Sequence, residues 1–298
     1  MSSTPARIFS LRGITLGAQV GIAALLGDKS ARERLINRVV HSRHISPYVW
    51  WPRPETTAAS PASTTTAVEP VVVAARDWRE HFVTMLSGNG LEIGPLHMPL
   101  PKPPNAQVVY VDRLPLAQLL EHYPELPPAD LIDPNIIDDA ETLRTIPDDT
   151  YDFVSAAHVI EHMRNPIAAL ENWCRVLKPG GLLYVIVPDK RTTFDATRPP
   201  TSLEHMMRDY YTPSRERDRE HFLEYAVEVD KKTAQQALAG AEHLEGRDYS
   251  IHFHVFLPSD VLKLLAWFSD NIRPLDVLEG PVMAPGSIEF HLMLRKRS

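Results

Sequence analysis

The chain has 298 residues, 44% of them hydrophobic and 23% charged, with a formal net charge of -7 and a pI near 6.0. That length suffices for one α/β domain of enzyme size with room for an extension and an insertion. The acidic balance argues against a general nucleic-acid binder, whose affinity rests on Lys and Arg neutralising phosphates, and a single cysteine, Cys174, excludes an internal disulfide and a thiolate metal cluster, so a cytoplasmic location is expected.

Arg7 and Arg12 precede an apolar run over residues 14–26, a loose likeness to a signal peptide. The run is shorter than the roughly 20 residues a membrane span needs, and no small-x-small cleavage site follows, so a buried or partner-binding helix is expected there. Ser30 with Glu33 forms a capping box for a helix whose Leu35, Ile36, Val39 and Val40 share one face. Residues 1–51 are thus read as a helical extension that closes a pocket or mediates a homodimer. Residues 52–70, nearly all Pro, Thr, Ala and Ser, are too poor in large apolar groups to offset ordering entropy and read as a linker.

Residues 71–298 form the main domain, in which helix and strand alternate as in a parallel sheet covered on both faces. The pattern predicts a helix over 75–86 and strands over 91–93, 108–111, 131–132, 151–157 and 182–187. Asn165 caps a helix with Pro166 at its first position, its Leu170, Trp173, Cys174 and Leu177 on one side, ending at Gly180. Charges interrupt the rhythm from residue 189 to 250. A helix over 258–268 and an alternating, edge-like strand over 288–294 follow.

In an open α/β sheet a ligand sits beyond the carboxyl ends of the strands. After the first predicted strand comes Glu92-Ile93-Gly94-Pro95, where Gly94 lets the backbone approach a ligand and Glu92 can meet a charged group. One glycine is too few for a dinucleotide loop, which wraps a pyrophosphate with three. The second strand ends in Val111-Asp112, placed where a carboxylate can accept both hydroxyls of a ribose. Past the third, Asp138-Asp139-Ala140-Glu141 can accept from an adenine amino group, with solvated surface acids as the plainer reading of both.

After the fourth strand, His158, Glu161 and His162 fall at i, i+3 and i+4. On a helix starting there they share a face and can converge on a divalent ion or line a pocket. His-x-x-Glu-His is also the inverted zinc-protease motif, set aside because here it follows a buried strand and lacks a distal glutamate. Asp189 follows the fifth strand, and His252 and His254, two apart, would point to one side of an extended segment. Imidazole accepts protons near neutral pH, and site and packing readings of this pair stay level. The lone His97, His205, His221 and His243 read as surface or core residues.

The order of these motifs resembles the class I S-adenosylmethionine-dependent methyltransferases over about residues 88–190, most specifically from Tyr151-Asp152-Phe153 to Leu177-Lys178-Pro179-Gly180-Gly181. The resemblance implies a Rossmann-like α/β fold, a seven-stranded and mostly parallel sheet with helices on both faces, here with a cap inserted at about residues 189–255. It implies S-adenosylmethionine as cofactor, with Glu92, Gly94 and Pro95 around its methionine and ribose, Asp112 on the ribose, Asp139 with Ala140 or Glu141 beside adenine, and His158 beside the transferred methyl. Of the family's Glu-x-Gly-x-Gly pattern only Gly94 remains, although Leu91-Glu92-Ile93-Gly94-Pro95 is similar to a subgroup among sugar-modifying methyltransferases. His158, Glu161 and His162 also resemble the Glu-x-x-Glu-His site of Mg-dependent O-methyltransferases of ubiquinone synthesis and small-RNA methylation, with His158 replacing the first Glu.

The expected function is therefore O-methylation of a small hydroxylated molecule, a sugar or glycoside. His158, Asp189, His252 and His254 are the candidate catalytic groups, and Mg or another divalent metal at His158, Glu161 and His162 is the alternative device for the proton. Methylation at nitrogen or on a phenol or quinone ring, and a non-catalytic scaffold that binds partners, stay open.

Overall fold

The computed structural model describes residues 71–72 and 77–298, so the expected N-terminal helix and the 52–70 linker lie outside the described residues. Apolar runs bounded by turn residues build the strands β1 (Val71–Val72), β2 (Gly88–Ile93), β3 (Ala106–Asp112), β4 (Ile136–Ile137), β5 (Tyr151–Ala157), β6 (Leu177–Pro188), β7 (Leu275–Met283) and β8 (Glu289–Lys296). They form one sheet in the order β1-β7-β8-β6-β5-β2-β3-β4, in which only β8 runs antiparallel to its neighbours. Seven strands make the expected sheet, and the two-residue β1 adds an eighth at the edge beside β7.

Alternation in the central strands feeds two cores. Val154 and Val185 face helices α3 (Pro166–Val176) and α7 (Pro258–Asn271), meeting Leu170, Trp173, Leu264 and Phe268. Phe153 and Tyr184 face the other side, where α1 (Trp78–Val83) contributes Trp78 and Phe82. Burial on both faces is what a parallel strand between two helical layers requires, and it explains why Tyr151–Ala157 has no polar alternation. α3 begins as its residues dictate: the Asn165 side chain accepts from the Ala168 amide, and Pro166 sits at the first turn, where its missing N–H costs nothing. It ends at Val176, short of Gly180, because Leu177 already belongs to β6.

Three other expectations change. The third strand is Ile136–Ile137, not 131–132; only two residue pairs join it to β3, too few to leave a periodic trace, and the Ile132 amide instead bonds the Leu96 carbonyl in a loop. β8 is interior, paired on both sides and buried from Phe290 to Leu294, where its alternation had suggested an edge. α2 (Leu116–His122) and β7 were not anticipated.

Between β6 and α7 lie three helices, α4 (Leu203–Tyr211), α5 (Arg215–Glu228) and α6 (Ala234–Gly246). Phe222, Ala241, Ile251 and Phe253 give this insertion a small core of its own. It meets the loops after β3 and β5, with Asp248 bridging Arg113 at 3.0 Å and Arg164 at 2.6 Å. Among the described residues, no helix is long and apolar enough to cross a membrane.

Candidate functional site

β2 is flanked by β3 and β5, so the chain leaves the sheet centre in opposite directions and opens a crevice at the carboxyl ends of these strands. At its floor Gly94 has φ 61, and a Cβ there would stand 3.3 Å from Val159 Cγ2. Glycine is needed at that point for conformation and for clearance. The Gly94 amide donates to Val111 O at 2.9 Å and Pro95 is buried, which fixes the loop against β3. Glu92 is buried and accepts from the Leu100 amide at 2.7 Å; burial pushes its carboxyl up to about 7. It therefore ties down the loop over 94–100.

Asp112 closes β3 half-buried, its carboxylate accepting from the Arg113 amide at 2.7 Å, with burial raising its pKa. Beside it, the Asp138 amide bonds Asp112 O, and the buried Asp138 carboxylate takes the Asp139 amide and both the amide and hydroxyl of Thr145. Asp138 thus organises the loop whose exposed Asp139 accepts from Glu141 N and Thr142 N. Ala140 and Glu141 are engaged with α3: Ala140 O accepts from Trp173 Nε1 at 2.8 Å, and Glu141 Oε2 accepts from Asn165 N at 2.9 Å, burial pushing that carboxyl up to about 7. Gly94 with its loop, Asp112 and the Asp139 turn lie on adjoining strand ends and fit S-adenosylmethionine: a clear backbone approach at the glycine, then two acids for ribose hydroxyls and an amino group.

His158 stands directly after β5 with φ 55, its amide bonded to Ile186 O. Nε2 lies 2.7 Å from Glu289 Oε2, and Nδ1 lies 3.5 Å from Glu161 Oε1. Burial disfavours the imidazolium, but the Glu289 hydrogen bond and the two carboxylates outweigh it and raise its pKa. Glu289 opens β8, and because β8 runs antiparallel, that first residue arrives at the carboxyl ends of the other strands. Arg79 from α1 grips the same carboxylate through Nε and Nη2, each at 2.9 Å. Burial alone would raise the Glu289 pKa; Arg79 and His158 hold it well below the usual range. Arg79 and Glu289 were missed from sequence, although the first residue of an antiparallel return strand is a readable position.

The helical face expected for His158, Glu161 and His162 does not form. His158 precedes the turn, and Ile160–His162 is a single 3-10 turn, so the three do not line one helical face, although His158 Nδ1 stays 3.5 Å from Glu161 Oε1. Glu161 is fully buried, with both oxygens lacking a hydrogen-bond partner, and burial raises its pKa. His162 Nδ1 is 2.9 Å from Ile251 O and 3.0 Å from Ser250 Oγ. The group that comes within ligand reach is Glu161, His162 and His252, with donor atoms within 4.8 Å of one another.

His252 and His254 do not share a face. His252 Nδ1 lies 2.6 Å from Asp195 Oδ2, and its ring meets His162 edge-on. His254 is fully buried and turns instead toward His205, His221 and Asp209, because the segment carrying both is irregular between the insertion and α7. Asp189 is fully buried, caps the turn after β6 and has both oxygens on the Arg191 guanidinium, so it anchors that turn.

Residues 74–267 match the family described as methyltransferase domain, well over half of the chain. A stretch of 48 residues is 50% identical to the ubiquinone/menaquinone biosynthesis C-methyltransferase of Chromobacterium violaceum, covering 16% of this chain and 19% of that enzyme's length. Among solved structures, a SAM-dependent methyltransferase from Thermotoga maritima is 15% identical over 74% of this chain and 87% of that one, with a TM-score of 0.37. The mitomycin 7-O-methyltransferase is 15% identical over 70% of this chain and 49% of its own, with a TM-score of 0.38. Likenesses at that level carry no weight for acceptor or mechanism. With a family match that runs from α1 through most of α7, the chain belongs to the methyltransferase domain family.

Proposed function

We propose that the chain methylates a hydroxyl of a small molecule, a sugar or glycoside, and that His158 takes the proton. The observation that carries this reading is His158 itself, directly after β5 at the crevice and hydrogen-bonded to Glu289 at 2.7 Å. Bound S-adenosylmethionine supplies an electrophilic methyl and a neutral leaving group. A sugar hydroxyl does not ionise at pH 7, so a positioned base must accept its proton as transfer proceeds. With the Nε2 proton donated to Glu289, Nδ1 carries the lone pair, and the Glu289 and Glu161 carboxyls stabilise the imidazolium that forms. Gly94, Asp112 and Asp139 hold the cofactor, and its alignment supplies much of the acceleration. Phe194, 55% exposed, stands beside His252 at 4.7 Å and Tyr225 at 6.4 Å. An exposed ring among hydrogen-bonding groups suits a polyol, whose C–H face packs on the ring while its hydroxyls bond the rim.

A divalent ion lowering the acceptor's pKa is the alternative device, and here it would sit on Glu161, His162 and His252. The quinone-enzyme match supports a second acceptor, a phenol or quinone ring. A labelled-methyl assay over sugar, phenol, quinone and amine pools separates these readings. We expect label in a sugar ether, turnover not raised by added Mg or Mn, and His158→Ala lowering kcat by about 10²- to 10⁴-fold with adenosylhomocysteine affinity little changed. Label confined to ring carbon, or full activity of His158→Ala, would overturn the proposal.

A further inference from the structure

Beside the loop that follows β5, four side chains converge to which the proposed reaction assigns no role. We infer that His205, Asp209, His221 and His254 form a structural site for a divalent transition-metal ion, zinc by preference, that fastens the insertion to the segment leading into α7.

Three separate elements supply the donors. His205 and Asp209 are four residues apart on α4 and share a face; His221 comes from α5, and His254 from the irregular stretch before α7. One donor atom of each lies within 4.8 Å of all the others, and all but His205 are buried. His205 Nε2 is 3.2 Å from His221 Nε2 and 3.1 Å from Asp209 Oδ2. Around a tetrahedral zinc with bonds of about 2.0–2.1 Å, neighbouring donor atoms stand about 3.3–3.4 Å apart. The two closest spacings are therefore near those of a filled site.

Hydrogen bonding alone satisfies this group poorly. Two imidazole nitrogens facing each other share one proton at most. His254 Nδ1 is buried with no hydrogen-bond partner, the kind of atom that native structures rarely leave unpaired. A cation at the centre resolves both difficulties.

The outer contacts are those of oriented ligands. Arg217 Nε donates to Asp209 Oδ1 at 2.8 Å, His254 Nε2 meets Arg164 O at 3.2 Å, and the His221 ring packs edge-on against Phe253. Three nitrogens and one carboxylate favour zinc, cobalt, nickel or copper over magnesium or calcium. Four protein donors complete a tetrahedron and leave no place for substrate, which makes the site structural.

The test uses the full chain, purified without chelator from zinc-supplemented medium. Elemental analysis is expected to find one zinc per chain. After stripping, one equivalent of Co(II) should give the intense visible absorption of tetrahedral cobalt, and zinc should raise the melting temperature of the stripped protein. His205→Gln and His221→Gln should each weaken cobalt binding at least tenfold, while Glu161→Gln, in the other histidine-carboxylate group, should leave it unchanged. Wild-type protein that takes up no zinc and gives no tetrahedral cobalt spectrum overturns the inference, and the group is then a hydrogen-bonded cluster only. Binding unaffected by both histidine changes, or abolished by Glu161→Gln, also overturns it. The wild-type spectrum and zinc-dependent melting decide the matter if a histidine variant does not fold.

Discussion

Replacing Glu289 by Gln tests the charge network behind the proposed base. The carboxylate receives two bonds from Arg79 at 2.9 Å and one from His158 at 2.7 Å. Hydrogen bonds to charged groups contribute about 1.5–3 kcal/mol each, and breaking a buried ion pair from one side costs about 3–5 kcal/mol. The side chains of Arg79 and Glu289 are 21% and 14% exposed, so the lower end applies, about 3 kcal/mol. For a domain of this size that is a fall in melting temperature of about 6–12 °C, read by thermal unfolding.

The direction with pH follows from the two shifts. Glu289 is depressed, so its stabilisation is present above the ordinary carboxyl value of 4.5 and fades as pH falls toward its folded value. His158 is raised, so its stabilisation is present below 6.5 and is lost as pH climbs through its folded value. The gap between wild type and variant is then widest between those ordinary values. Turnover by a neutral His158 rises with pH through a midpoint above 6.5 in the wild type. In Glu289→Gln the midpoint moves down, because burial, which lowers the imidazole pKa, then meets less opposition. A melting temperature within about 1 °C of wild type, together with an unchanged pH midpoint, would refute the reasoning.

Asp112→Ala should weaken adenosylhomocysteine binding by about 1.5–3 kcal/mol, roughly 10- to 150-fold by calorimetry, while the fold persists because Asp112 is half-buried at a strand end; unchanged affinity would remove it from the cofactor site. Arg198 is 1% exposed and bonds Asp195, Glu224 and the His252 carbonyl. Arg198→Met should therefore cost about 3–5 kcal/mol of stability in chemical denaturation, and a loss below about 1 kcal/mol would show that its partners find other donors.

Much of the framework was legible because it is local. The unbroken apolar run of β5, the Asn165-Pro166 start of α3 and the lone Gly94 after β2 each act through sterics, capping or burial within a few residues. Strand ends then marked Asp112 and His158 as groups near the crevice. The 3-10 turn after His158 was not legible, because a helix-periodic spacing there says nothing about where a helix starts, and His158, with its positive φ, stands before the turn.

By itself the sequence determined the α/β class, the family and the short motifs at the strand ends, since each rests on residues close together in the chain. Tertiary structure alone decided the partners. It brought Glu289 to His158 across 131 residues by folding β8 back antiparallel beside β6. It sent His252 to Asp195 and His254 to Asp209, although a single residue separates the histidines. Such pairings depend on sheet order and on where an insertion packs, and chain closure over those distances leaves no periodic trace in the intervening residues.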